Sequence, residues 1–131
     1  MPLRPWHALS SSEALHAQLD VFVQASHVEG LPISVLEALA SCLPVVATRV
    51  GGNDEVIVDG RGGLLVPPED PSALAAAIAR VVDNPGEARR MGEFGRAHVL
   101  RLFSAEAAVS ATDALFRRLL DRVPPRGGAA A

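Results

Sequence analysis

Between Asp20 and Leu120 short apolar runs alternate with longer stretches in which apolar residues recur every three or four positions. "DVFVQAS" is β-branched and aromatic and too short for a helix, so it predicts a strand. "PVVATRV" is apolar almost throughout, as a strand covered on both faces should be. "GGLLVPP" predicts a third strand, ended by two prolines. The segment "ISVLEALAS" carries helical spacing. Pro32 suits its first turn, and the helix stops before Pro44, because a residue preceding proline disfavours the α region. "NDEVIVDG" reads as a short helical turn closing on Gly60. "DPSALAAAIARVVD", "NPGEARRMGEFGRAHVLRLF" and "SAEAAVSATDALFRRLLDRV" predict three longer helices, the first opening on proline behind an acidic cap. Ahead of the first strand, "SSSEALHAQL" predicts a short helix in which Ser10 and Glu13 have capping-box spacing.

Strand, helix, strand, turn, strand, helix in that order implies parallel strands with crossover helices: an α/β layered sheet. Three strands are few for this architecture. The first would lie at an edge, with unpaired backbone groups on its outer side. The last helix adds an apolar stripe at Val109, Leu115, Phe116, Leu119 and Leu120. Together these predict pairing with a second copy, with a separate subunit or with a further domain.

Composition narrows the function. With 131 residues, 49% of them hydrophobic, the chain can form one domain with a modest core. A formal charge of −3 and an aromatic content of 4% without tyrosine exclude the basic face and stacking platform of a nucleic-acid binder. One cysteine, Cys42, excludes an internal disulfide and a multi-cysteine zinc site, and is expected to be a small buried residue. No apolar run reaches the roughly 20 residues of a membrane span. The expectation is a soluble cytoplasmic protein, attached to a membrane at most peripherally. His7, His16 and His98 lack metal-ligand spacing, Trp6 has no assigned role, and the arginines of "EARRMGEFGRAHVLR" suit a solvated helix face. A receiver-type α/β module would need a lysine, and the chain has none.

The candidate chemistry lies between the first strand and the helix after it. Parallel sheets bind ligands at the carboxyl ends of their strands, and the stretch from Ser26 to Leu31 holds that position. Gly30 allows close backbone approach, and the free N–H groups at the helix start suit a diphosphate. Pro32 has no N–H to offer, which leaves Leu31, Ile33 and Ser34 as donors. Glu29, before the turn, can accept from hydroxyls or stabilise developing positive charge. Glu37, two turns into the helix, can grip a ribose. Taken singly, both acids would be ordinary solvated side chains. His27 is expected at the rim. Gly51 and Gly52 form a tight turn or a ligand loop, and Glu55 either caps the following turn or reaches the site.

The ordered set E-x7-E at Glu29 and Glu37, "LPVVAT", Gly51-Gly52 with Glu55, "GLLVPP" and "DPSAL" resembles the C-terminal domain of family 4 (group 1) retaining glycosyltransferases of the GT-B fold. The likeness covers about Asp20 to Leu120. It implies a partial Rossmann-like domain over residues 1–123 and a frayed tail over 124–131. Glu29 would lie at the donor sugar as the catalytic acid. Glu37 would bind the nucleotide ribose, and amides from Gly30 onward would take sugar hydroxyls and phosphate. The substrate implied is a nucleoside-diphosphate sugar, bound without metal or cofactor. The family's acceptor-binding N-terminal domain, and the Arg and Lys that neutralise the diphosphate, are expected to be missing here, leaving the isolated chain with little transfer activity. Where the family places Cys-Gly before "LP", this chain has Ser41-Cys42, so Cys42 would have to strain or the helix end differently.

Overall fold

The computed structural model describes residues 11–121. Three parallel strands, β1 (Phe22–Gln24), β2 (Val45–Thr48) and β3 (Leu64–Val66), form one sheet in the order β1-β2-β3. The register pairs Phe22 with Val45 and Val46 with Leu64. Around it lie α1 (Ser12–His16), α2 (Ile33–Ala40), α3 (Asn53–Val56), α4 (Pro71–Asp83), α5 (Pro85–Leu102) and α6 (Ala105–Leu120). The expected α/β class and all three strands are present.

β2 explains the layering. All four of its residues are buried, and alternate side chains enter opposite cores, as strand geometry requires. Val45 and Ala47 join Val35, Ala38 and Leu39 of α2, together with Val99 of α5. Val46 points the other way, to Leu64, Val81 of α4 and Met91 of α5. Burying a side chain such as Leu39 or Val35 contributes about 1.5–3 kcal/mol, so α2 is fixed to the sheet by its inner face. Its outer face carries Ser34, Glu37 and Ser41, all exposed.

Both edges of the described sheet are open, and β1 has a neighbour only on the β2 side. α6 buries none of its residues; Val109, Phe116 and Leu120 stand 68%, 59% and 70% exposed. No described helix is long and apolar enough to cross a membrane.

Three local expectations are corrected. The cap of α1 is Ser11, whose side chain accepts from the Ala14 amide at 3.2 Å. Ser10 lies outside the described residues, and a run of three serines left the register open. Pro32 occupies the N-cap of α2 and not its first turn. Cys42 is exposed, because it takes the left-handed conformation at φ +62°. Around it the Leu43 amide reaches Ala38 O and the Cys42 amide reaches Leu39 O, the paired bonds of a Schellman stop. A non-glycine residue therefore holds the glycine position. Trp6, His7 and the 124–131 tail also lie outside the described residues. Two others stand: Asp70 caps α4, accepting from Ala73 N at 2.8 Å, and His16 is structural, buried edge-on against Phe22.

Candidate functional site

The loop from Ala25 to Pro32 leaves the carboxyl end of β1 and enters α2. Its acid is held from within: Ser26 Oγ donates to Glu29 Oε1 at 2.6 Å. The loop is also held from β2. Thr48 Oγ1 donates to the Ser26 carbonyl at 2.6 Å, and Asn53 Nδ2 donates to the Thr48 carbonyl at 2.9 Å. Thr48 and Asn53 are both buried, and Asn53 Oδ1 has no partner among the described groups.

Gly51 and Gly52 form the expected tight turn, closed by Asn53 N to Val50 O at 3.2 Å, and also join two loops. The Gly52 amide donates to Gly30 O at 3.1 Å. A β-carbon on Gly52 would meet that same oxygen at 2.1 Å, and one on Gly51 would meet Glu29 O at 1.8 Å. Only residues without a side chain let the loop after β2 lie against the loop after β1. Gly30 itself has nothing within 4 Å of a notional β-carbon, so its outer side is open.

The start of α2 has no side-chain cap. The Ile33 amide turns back to Leu31 O at 3.0 Å, which removes Ile33 from the expected set of free donors. Gln24 Nε2 donates to Ser34 Oγ at 3.2 Å, tying the end of β1 to the first turn of α2. Leu31 is exposed, and Pro32 is buried with its ring beside Gly52.

Glu37 lines a hollow that Glu29 does not reach, and the hollow nearest the Glu29 loop is lined by that acid's partner Ser26. At the carboxyl ends of the strands, a hollow of about 170 Å³ is lined by Ser26, His27, Thr48, Glu69 and Asp70. Across its mouth His27 Nδ1 lies 3.5 Å from Glu69 Oε1, with both side chains largely exposed. Glu37 lines another hollow, of about 360 Å³, with Glu13, His16, Ser41 and Arg96. Glu37 lies about 6 Å along the helix axis from Ile33. A ligand reaching both acids must therefore run along the exposed flank of α2, past Ser34. The expected rim position of His27 is what the structure has. Glu55 is exposed on α3, and α3 has no side-chain cap, so the capping alternative falls.

A hollow of about 730 Å³ lies at the opposite end of the sheet, among Leu19, Val21, Leu43, Pro44, Val81 and Val82. It is mostly apolar and gathers no set of acids or amide donors. The strand carboxyl ends remain the chemical candidate. Sequence reasoning missed Thr48 and Asn53. The available signal was a hydroxyl following the apolar run Val45 to Ala47, with an amide side chain just after the paired glycines.

Comparison with known proteins agrees with this geometry. The family model for glycosyl transferases group 1 matches residues 8–98. The chain is similar to the MMP alpha-(1->4)-mannosyltransferase of Mycolicibacterium hassiacum, 37% identical over 111 residues that make up 84% of this chain and 27% of the relative. Its fold is similar to sucrose-phosphate synthase from Thermosynechococcus elongatus, with TM-score 0.76, 36% identity, and 84% and 28% of the two chains covered. It is also similar to the C-terminal domain of a glycosyl transferase group 1 family protein from Francisella tularensis, with TM-score 0.66, 30% identity, and 70% and 47% covered. The chain spans about a quarter of the length of the curated relatives it matches. Motif order, sheet topology and the matched span agree: this chain belongs to the glycosyl transferases group 1 family.

Proposed function

We propose that the chain is the donor-site portion of a retaining glycosyltransferase, binding a nucleoside-diphosphate sugar and lacking substantial transfer activity by itself. The observation that carries this reading is the uncapped start of α2 at the carboxyl end of β1, with Glu29 in the loop before it and Glu37 on its open flank. Amides at Gly30, Leu31 and Ser34 and the positive end of the helix suit the diphosphate. Glu29 suits the sugar and Glu37 the ribose. Amide donors stabilise the anion without a metal, and the proposal keeps the donor site metal-free.

In the complete enzyme the bond from the anomeric carbon to the phosphate oxygen breaks, and its electrons leave with the diphosphate. A cation-like sugar forms, the acceptor hydroxyl adds on the same face, and its proton passes to a base. This chain contributes orientation and negative charge beside the developing cation. Residence in the cytoplasm belongs to the same proposal and fits the exposed free thiol of Cys42, which a reducing compartment preserves.

Titration with uridine, guanosine and adenosine diphosphates tests the reading. One of them should bind, and Glu37→Ala should weaken it by about 1–3 kcal/mol through loss of a charged hydrogen-bond acceptor. Equal affinity for both proteins removes Glu37 from the ribose role.

One observation favours a second reading, an interaction subunit derived from such an enzyme: α6 buries none of its sixteen residues. An adjacent reading frame encoding an acceptor-binding domain, with transfer on mixing the two chains, decides for the enzyme. Nucleotide-independent association with a partner and no transfer decides for the subunit.

A further inference from the structure

Glu29 is tied to β2 by a chain of three hydrogen bonds that starts at Asn53 of α3 and passes through Thr48. Asn53 Nδ2 donates to Thr48 O at 2.9 Å, Thr48 Oγ1 to Ser26 O at 2.6 Å, and Ser26 Oγ to Glu29 Oε1 at 2.6 Å. Thr48 is 5% exposed and Asn53 is fully buried, whereas Ser26 and Glu29 are half-buried. The order of burial matters. A bond whose donor and acceptor sit away from water resists exchange with solvent, so the buried end anchors the exposed end.

The neighbouring strand positions show that Thr48 is not a packing residue that happens to carry oxygen. Val45, Val46 and Ala47 are apolar and fill the two cores. At the next position the strand carries a hydroxyl instead, and this hydroxyl faces the one loop that holds the acid. The loop is clamped beside it, where Gly52 N meets Gly30 O. The Thr48 bond and the Gly52 bond thus fix the segment on either side of Glu29.

We infer that Thr48 is the positioning residue of this site: through Ser26 it sets where the Glu29 carboxylate stands relative to the donor sugar. The inference rests on the donor-site reading for its functional part and on the hydrogen bonds alone for its structural part. Glu29 is the group that touches the sugar, and Thr48 acts only through Ser26. The Thr48→Val substitution removes the donor, keeps the volume and leaves the Ser26 carbonyl without its partner. Thr48→Ser restores the donor.

Two measurements on the full chain test the inference. The first is amide hydrogen exchange without ligand at Gly52, whose N–H is bonded to Gly30 O in the clamped loop. Thr48→Val should speed exchange there about tenfold, the equivalent of one typical net hydrogen bond, with Thr48→Ser returning to wild type. Unchanged exchange in Thr48→Val overturns the inference. The second compares the affinity ratio of UDP-glucose to UDP, and of GDP-mannose to GDP. Thr48→Val should lower the sugar-dependent ratio severalfold with little change for the bare diphosphate, Glu29→Gln should lower it likewise, and Thr48→Ser should restore it. A ratio lost in Glu29→Gln and kept in Thr48→Val overturns the positioning role and leaves the donor site standing. A ratio that Glu29→Gln does not move, or no binding of any probe by wild type, overturns the donor-site reading and with it the functional part. The exchange result still decides the structural part.

Discussion

Gly51 and Glu29 meet backbone to backbone: a β-carbon on Gly51 would stand 1.8 Å from the Glu29 carbonyl oxygen. Gly51 also sits at φ +48°. Gly51→Ala therefore combines a steric clash with left-handed strain, and should cost about 2–4 kcal/mol in urea denaturation. Gly30→Ala is the contrasting case, since nothing lies within 4 Å of its new methyl. It should change stability by less than about 1 kcal/mol, yet weaken nucleotide-sugar binding by blocking close approach to the loop. Equal stability for the two variants would show that the loops do not rest on one another.

Cys42 tests the helix stop. It holds a left-handed conformation that costs a side-chain-bearing residue about 1–2 kcal/mol, against about 0.5–1 kcal/mol of extra chain entropy for glycine. Cys42→Gly should therefore stabilise the chain by about 0.5–1 kcal/mol. Cys42→Val should destabilise it, since a β-branched residue tolerates this region worst. A midpoint shift in denaturant at constant slope is the readout.

The apolar stripe of α6 and the open edge of β1 predict association. Light scattering over a dilution series should show species larger than a monomer. Phe116→Glu should shift them toward the monomer with little change in unfolding, because Phe116 is 59% exposed and loses no core contact. A monodisperse monomer in the wild type at all concentrations would count against the prediction.

His98 sets a pH dependence. Burial, and then the Arg101 charge, hold its imidazole below the usual histidine value of 6.5. The ring stacks on Phe94 at 6.0 Å and faces Phe103 at 6.3 Å. The unfolded chain then takes up a proton where the folded chain does not, so stability falls as pH drops below about 6.5 and levels off below the folded value. Thermal unfolding at pH 7.5 and 5.5 should show a smaller difference for His98→Gln than for wild type. Identical differences would assign the pH dependence to other groups.

The elements legible from sequence are those set by local pattern. Val45 to Ala47 is apolar because both faces of β2 are covered, and Asp70 precedes a proline because α4 starts there. Contacts between segments distant in sequence were not legible. The Gly51-Gly52 pair read as a turn, which it is, but its second task of admitting the backbone of Glu29 and Gly30 did not show. Thr48 passed as the end of a strand because its partner, Ser26, lies 22 residues earlier. Cys42 read as buried because its residue type usually is, whereas a left-handed stop turns its side chain outward. The hydrogen bond from Ser26 to Glu29 and the hollow around Glu37 were not legible either, because residue spacing gives distance along a helix and not which neighbours close around it.

The loop that bears Glu29 is the direct continuation of β1, an edge strand whose outer flank is unpaired among the described residues. Whatever polypeptide zips onto that flank will tug on the same three residues from which the acid's loop departs. On the proposed donor-site reading, assembly and donor recognition would be mechanically joined: a docking event at Val23 would reach Glu29 along the intervening backbone, with no relay across the core required.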